Sequence, residues 1–214
     1  MQKIGLMILL LFGIFLVQSN VSYTQVQAGI SVDDEGVQGF YLSVGEYYHV
    51  PEKEVIVVRE RKIPDEEIPV VFFLASKAKV PSATLIDMRL GGKSWMDISL
   101  HFGLGADIFY VPVTVMPGPP YGRAYGYYKN KPQKEWKKIV LVDDDIVNLV
   151  NLKFISAHYG YSPEEVIKLR AGGYTFIKIN GHCKKAKKEK AGKPLMAPKP
   201  DKVKAKETGK GKKK

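Results

Sequence analysis

The sequence predicts a mainly α-helical fold. It contains tandem helical hairpins, a Pro/Gly/Tyr-rich insertion with one short strand, and a disordered lysine-rich C-terminal tail. The first observation behind this prediction is an internal repeat, in which residues 70–98 align without a gap with residues 151–179. The second is that apolar residues within both copies recur at helical spacing. The third is that residues 182–214 are rich in lysine and contain no aromatic residue.

The repeat has identical residues at six positions, among them Arg89 with Arg170 and the glycine pair that follows each arginine. A third, partial copy is indicated by residues 47–59, whose sequence resembles that of residues 158–170. A recurring unit of this kind predicts helical hairpins that bury their apolar faces against one another.

Each copy carries the signals of two helices joined by a glycine turn. In the first copy, Pro81-Ser82 is typical of a helix start. Arg89 places positive charge at the negative end of that helix, and Gly91-Gly92 permits a left-handed stop. Ser94 then caps a second helix, and we expect its Trp95 to be buried in the core. The two predicted hairpins cover residues 81–103 and 163–179.

The first 28 residues have the features of a secretory signal. One lysine precedes an unbroken run of apolar residues and glycine from Ile4 to Val17. This run is shorter than the roughly 20 residues that a membrane-spanning helix needs, and its length suits a signal sequence. Val26-Gln27-Ala28 predicts cleavage before Gly29. We therefore expect a periplasmic or secreted protein, with an uncleaved inner-membrane anchor as the alternative.

The rest of the chain divides into five predicted parts. They are a leading strand or coil (29–46), hairpin repeats (47–111), the insertion (112–143), the second hairpin copy (144–181) and the disordered polybasic tail (182–214). Within the insertion, KKIVLV at residues 137–142 predicts the short strand. Asp143, Asp144 and Asp145 predict the first turn of a helix, with a cation site as the alternative.

The net charge of +11 lies wholly in the tail, where 14 lysines oppose three acidic residues and the rest of the chain sums to zero. In composition the tail resembles those of linker histones. We expect it to bind an anionic polymer or membrane surface, and a solubilising spacer is the alternative. The expected anion-binding residues are Lys184, Lys185, Lys187, Lys188, Lys190, Lys193, Lys199, Lys202, Lys204 and Lys206.

A second candidate binding feature is PPYGRAYGYYKNK, at residues 119–131. Aromatic residues that alternate with basic residues can stack on sugars or nucleobases. The candidate ligand-stacking residues are Tyr121, Arg123, Tyr125, Tyr127 and Tyr128. The alternative is that these rings fill a loop that packs on a small core.

No residue pattern predicts catalysis, a cofactor or a metal. The four histidines are not spaced as metal ligands are, and no nucleophile has a credible base beside it. Cys183 is the single cysteine, so no internal disulfide can form. Its lysine neighbours predict a lowered pKa, and its expected state is an incidental thiol or an intermolecular disulfide. We expect no enzymatic activity and no small-molecule substrate.

RLGGKSWMDI, at residues 89–98, resembles the joint of DNA-binding helix-turn-helix domains, and the resemblance extends over residues 81–111. In that family the helix after the joint enters the major groove. The corresponding segment here, LGADIFYVPV, offers one acid and apolar side chains, whereas base and phosphate contacts need Arg, Lys, Asn or Gln. The joint is therefore expected to be a structural unit.

The whole arrangement also resembles uncharacterised exported proteins of Gram-negative bacteria, a resemblance that implies no known activity. The expected function is an exported, non-enzymatic helical protein whose polybasic tail binds lipopolysaccharide, an acidic glycan or an acidic lipid. One alternative is a nucleic-acid-binding protein that uses the hairpins and the tail without sequence specificity. Another is an envelope enzyme with an unrecognised site.

Overall fold

The computed structural model describes residues 32–191, which are mainly helical and contain no strand. The predicted signal sequence, its cleavage position before Gly29 and the residues after Ala191 lie outside the described residues. The described helices are α1 (Val32–Tyr48), α2 (Glu52–Glu60), α3 (Ile68–Ala78), α4 (Ser82–Leu90), α5 (Trp95–His101), α6 (Gly122–Lys129), α7 (Asp143–Tyr159), α8 (Pro163–Ala171) and α9 (Phe176–Ala191). Short 3-10 segments cover Asp65–Glu67, Ala106–Phe109 and Gln133–Lys138. Between residues 32 and 191, every helix is too short or too polar to cross a membrane.

One hairpin geometry occurs three times, in α1–α2–α3, α3–α4–α5 and α7–α8–α9. In each copy the first helix ends at a residue with positive φ, and a helix of nine residues follows. The positive φ angles at the first stop are 57° at His49, 58° at Lys79 and 73° at Gly160.

The turn after each nine-residue helix also has the same backbone angles in all three copies. The first turn residue has φ and ψ of −73° and 7° at Arg61, −73° and 5° at Gly91, and −75° and 5° at Gly172. The second has φ of 67° at Lys62, 87° at Gly92 and 87° at Gly173. The predicted glycine turns are therefore confirmed, and the partial third copy is a complete hairpin.

The first helix of that third copy, α1, corrects the leading strand or coil predicted for residues 29–46. Glycine lowers helix propensity, and α1 contains Gly36, Gly39 and Gly45, yet packing against α2, α3, α7 and α9 stabilises it as a helix. A Cβ at Gly45 would lie 3.0 Å from the Val50 carbonyl oxygen, so this glycine permits the close turn from α1 to α2. At Gly36 a Cβ would make an ordinary 3.6 Å contact with Ile177.

Helix α3 belongs to two copies at once, since it ends the first hairpin and begins the second. All seven of its residues from Ile68 to Leu74 are buried, as expected for a helix covered on every side. It packs against α1, α4 and α7, and α7 in turn contacts α8 and α9. These two helices carry the core that positions the outer hairpin helices.

Arg89 lies in the last turn of α4, as predicted, and joins two of the copies. Its guanidinium donates to both oxygens of Glu67, at 3.0 and 2.9 Å, and to Asp143. The same arginine lies 4.9 Å from the ring of Trp95. Asp143 also accepts a 2.7 Å hydrogen bond from the Trp95 amide, so one carboxylate caps α5 and neutralises Arg89.

Arg170 repeats this arrangement at the end of α8. It donates to Asn148 at 3.2 Å and to Glu66 at 3.3 Å, and lies 4.4 Å from the ring of Phe176. Glu66 also accepts a 2.6 Å hydrogen bond from the Phe176 amide. Asn148 follows Glu67 by 81 residues, which is also the offset between the two aligned copies. Each arginine thus has one partner from its own copy and one acid from the other copy.

The strand predicted for residues 137–142 is wrong. The described structure has a 3-10 segment through Lys138, followed by extended backbone that pairs with no other strand between residues 32 and 191. Ile139 and Leu141 are buried, whereas Val140 and Val142 are exposed. This alternation is what the sequence pattern detected, but a strand also needs a neighbour for its backbone hydrogen bonds.

The first turn predicted for the three aspartates is confirmed, since Asp143, Asp144 and Asp145 begin α7. Asp145 is buried and accepts hydrogen bonds from Arg123 at 3.1 and 3.2 Å. Two of the three acids therefore have a second role as partners of arginines from other elements.

Candidate anion-binding surface

Helix α9 extends the second hairpin well beyond its predicted end. We expected a disordered tail from His182 onward, but the helix continues to Ala191, which corrects that boundary. The buried residues Phe176, Ile179 and Cys183 explain the extension, since their spacing of three and four places them on one helical face. Lysine and alanine, which dominate the following residues, also favour helix.

A polar contact in the middle of α9 joins it to α1 and α7. The Tyr159 hydroxyl donates to the side-chain oxygen of buried Asn180 at 2.9 Å and lies 2.9 Å from the Ser43 hydroxyl. The Lys187 ammonium lies 5.8 Å from the Tyr159 ring centre, within the range of a cation–π contact. Apolar and polar contacts together hold α9 on the body of the protein.

The predicted anion-binding lysines divide between α9 and the chain beyond it. Lys185 and Lys187 are exposed on α9, and Lys184 is half-buried. Lys188 and Lys190 also belong to the helix. The remaining predicted residues, Lys193, Lys199, Lys202, Lys204 and Lys206, lie outside the described residues.

Sequence reasoning missed Lys178, which lies in the first turn of α9 and is exposed. It precedes Lys185 by two helical turns, and exposed His182 lies between them, so the three belong to the solvent face opposite the buried anchors. Lys178 lies within the predicted hairpin, and its place on one face with Lys185 follows only when the helix is continued past Gly181. We call Lys178, Lys184, Lys185 and Lys187 the α9 lysines.

Cys183 differs from its prediction in place and in chemistry. Its side chain has no exposed surface. Burial raises the pKa of the Cys183 thiol to about 11, and the negative charge of Glu165 adds to the effect. The adjacent lysines were expected to lower this pKa, but the thiol faces the core whereas Lys185 faces solvent. A buried, protonated thiol is a poor nucleophile and a poor partner for an intermolecular disulfide.

The charges of α9 affect the pKa of His158, a residue of α7. Its Nε2 lies 3.5 Å from a carboxylate oxygen of Glu46. Burial lowers the pKa of His158, Lys187 and Lys184 lower it further, and Glu46 opposes them. The positive potential of the α9 lysines therefore reaches the interface of α1 and α7.

The predicted ligand-stacking residues are mostly part of the core. Tyr121, Tyr125 and Tyr128 are buried, and burial raises the pKa of all three phenols. Their rings are therefore covered by protein, as in the packing alternative. Tyr127 remains 42% exposed, and Arg123 is exposed while bound to Asp145.

The segment that would enter DNA in a helix-turn-helix domain has a different form here. It contains the four-residue 3-10 segment Ala106–Phe109, and the side chains of Ala106 and Phe109 are buried. A Cβ at Gly105 would lie 2.7 Å from the Lys137 Cα, so the insertion covers this segment closely. These residues have no free helical face that could lie in a groove.

Between residues 32 and 191, no three His, Cys, Asp or Glu side chains come close enough together to hold a metal ion. Comparison of the chain with family models, with curated proteins and with solved structures gives no match in any of the three.

Proposed function

We propose that this chain is an exported, non-enzymatic helical protein that binds an anionic surface of the cell envelope, such as lipopolysaccharide, an acidic glycan or an acidic lipid. The lysines of α9 and of the residues after Ala191 form the binding element. The observation that carries the proposal is the fixed position of α9, whose buried anchors leave Lys178, Lys185 and Lys187 exposed.

Fixed lysines are more effective than the same charges on a flexible chain, because less conformational freedom is lost on binding. A helix rises about 1.5 Å per residue, so Lys178 and Lys185 are held roughly 10 Å apart along α9. Each lysine close to an anionic surface contributes about 1 kcal/mol. Residues 29–181, Lys178 included, contain 18 Lys and Arg against 19 Asp and Glu, so the body adds almost no net charge to this attraction.

The test compares two triple variants that remove the same charge from the full chain. Lys178→Gln/Lys185→Gln/Lys187→Gln removes exposed α9 lysines, and Lys53→Gln/Lys93→Gln/Lys134→Gln removes exposed lysines elsewhere. Co-sedimentation with vesicles of neutral and acidic phospholipid, and with lipopolysaccharide, measures binding. At low salt the first variant should bind about 100-fold more weakly. The second should stay within about threefold of the unmodified chain.

Equal losses in the two variants would refute a role for α9. Circular dichroism of both checks that the helices are retained. Binding should also weaken steeply with salt, since exposed charges are screened. Tight binding of the chain to one duplex DNA sequence at high salt would instead favour the nucleic-acid alternative, because lysines alone carry no base code.

Export has its own measurement. N-terminal sequencing of protein recovered from the envelope fraction should give Gly29 as the first residue. Recovery of the chain with intact Met1 from the cytoplasm would contradict the proposed location, whatever the binding experiment shows.

A further inference from the structure

A second surface feature, which we call the aromatic cleft, lies at the insertion and is lined by no residue of α9. Its volume is about 240 Å³, and its lining residues are Tyr110, Tyr125, Tyr128, Trp136, Lys129, Val113 and Met116. Tyr110 and Trp136 are half-buried, so the cleft opens to solvent at their rings. Neither ring was among the stacking residues predicted from the sequence.

The rings of the aromatic cleft are inclined to each other. Tyr110 and Trp136 have centroids 4.4 Å apart and planes at 46°. Tyr128 lies 5.0 Å from Tyr110 at 64°, and 5.1 Å from Trp136 at 70°. The walls therefore form a concave surface and not a slot with parallel faces.

Three of these four rings use their polar groups in hydrogen bonds within the protein. The Tyr125 hydroxyl donates to the Val111 carbonyl at 2.6 Å, and that of Tyr128 donates to the Ala106 carbonyl at 2.7 Å. The Trp136 N–H donates to two carbonyls of the insertion at 3.0 Å. Tyr125 and Tyr128 are also buried, so the rings that a ligand can reach are those of half-buried Tyr110 and Trp136.

The positive charge at the aromatic cleft comes from Lys129. It is exposed and forms no ion pair with any described residue. Exposed Lys131, Lys134 and Lys137 follow it along the insertion, where Glu135 is the sole acid between them. An occupant of the aromatic cleft therefore meets positive potential at the rim.

We infer that the aromatic cleft binds one ring of an acidic sugar, in which a pyranose stacks on Tyr110 and Trp136 while its carboxylate or phosphate pairs with Lys129. The cleft is smaller than the roughly 300–1,000 Å³ of drug-sized sites, so it suits a single ring. A puckered ring carries C–H groups that can contact inclined walls, whereas a flat nucleobase stacks best on one plane or between parallel planes. This site is independent of the proposed role of α9.

The experiment uses the fluorescence of Trp136 in the full chain, with trigalacturonate as the probe. Trp95, the other tryptophan, is buried, so the saturable change should come from Trp136. The methyl-esterified trisaccharide, which lacks the charges, should bind at least fivefold more weakly. Tyr110→Leu should weaken both sugars at least tenfold while circular dichroism remains unchanged.

The matched lysine pair is Lys129→Gln and Lys53→Gln, since Lys53 is exposed on α2 and does not line the aromatic cleft. The first should weaken trigalacturonate at least fivefold and leave the methyl ester unaffected, and the second should change either by less than twofold. The Lys178→Gln/Lys185→Gln/Lys187→Gln variant should keep the full response, which separates this site from the α9 lysines. The inference would be overturned if trigalacturonate gave no saturable fluorescence change, or if the two lysine variants lost the same affinity for it. Tighter binding of oligothymidylate, a single-stranded DNA probe, than of trigalacturonate would also overturn it.

Discussion

The joints after α4 and α8 share one backbone geometry but differ in charge. Arg89 lies between two carboxylates, Glu67 and Asp143, whereas Arg170 lies between one carboxylate and the neutral amide of Asn148. The first joint also gains a 2.9 Å hydrogen bond from the indole N–H of Trp95 to Glu67, which a phenylalanine cannot make. The first joint is thus more heavily bonded than the second.

The helices that leave these joints differ in a corresponding way. Helix α5 has seven residues and leads into the insertion, while α9 has 16 residues and carries lysines on its outer face. The glycine pair and the arginine are shared by these two copies, although Arg61-Lys62 adopts a similar turn without glycine. The helix that follows each turn is determined by the residues after the turn, which differ between the copies. The hairpin that contains α5 therefore leads into the insertion, whereas the hairpin that contains α9 carries the candidate anion-binding surface.

The largest expected effect comes from removing the buried ring in each joint. Trp95→Ala and Phe176→Ala should each lower the free energy of unfolding by about 3–5 kcal/mol, because both rings are fully buried. Trp95→Ala should cost more, since it also leaves Glu67 without the indole donor. Urea denaturation of the two variants measures the difference. A smaller loss for Trp95→Ala than for Phe176→Ala would reverse the ranking of the joints.

A smaller difference should follow from removing the arginines. Arg89→Met leaves two half-buried carboxylates facing each other and should cost about 2–4 kcal/mol. Arg170→Met leaves one carboxylate and should cost about 1–2 kcal/mol. Denaturation at pH 7 gives both values, and Arg61→Met, which removes an exposed ion pair with Asp87, is the control. Equal costs for Arg89 and Arg170 would show that the second acid is unimportant.

The smallest expected effect is a pH dependence confined to the interface beneath α9. Because the pKa of His158 in the folded protein lies below its ordinary 6.5, the unfolded chain gains its proton first as pH falls. Stability should therefore decline from about pH 6.5 down to the folded pKa and then level off with respect to this group. Thermal melts of His158→Gln should lack that decline, and exposed His101→Gln should retain it. Identical profiles would exclude His158 as the cause.

The sequence predicted those parts of the fold that depend on neighbours in the chain. The glycine turns, the arginine at each helix end and the acidic first turn of α7 are local signals, and each was confirmed. Partners from distant segments left no such signal. Glu66 and Glu67 lie before α3, and nothing in their own neighbourhood indicates that each binds an arginine in a different copy.

The candidate sites show the same limit. The expected lysines were assigned to a tail, because net charge concealed the spacing of Phe176, Ile179 and Cys183 that continues the helix. The aromatic cleft could not be predicted, since Tyr110 and Trp136 are separated in sequence and meet only when the insertion folds back. Composition indicated lysine and aromatic residues as the candidates, whereas tertiary contacts determine which of those side chains are exposed.

The exchange of acids between the copies has a consequence for folding. In a linear array, each repeat contacts its neighbours only and the ends can unfold first. Here each arginine takes a counter-charge from the other copy, so melting one hairpin would leave an unpaired ion in its companion. Duplication has in this way produced halves that depend on each other, and the described body should gain or lose its structure in one cooperative step.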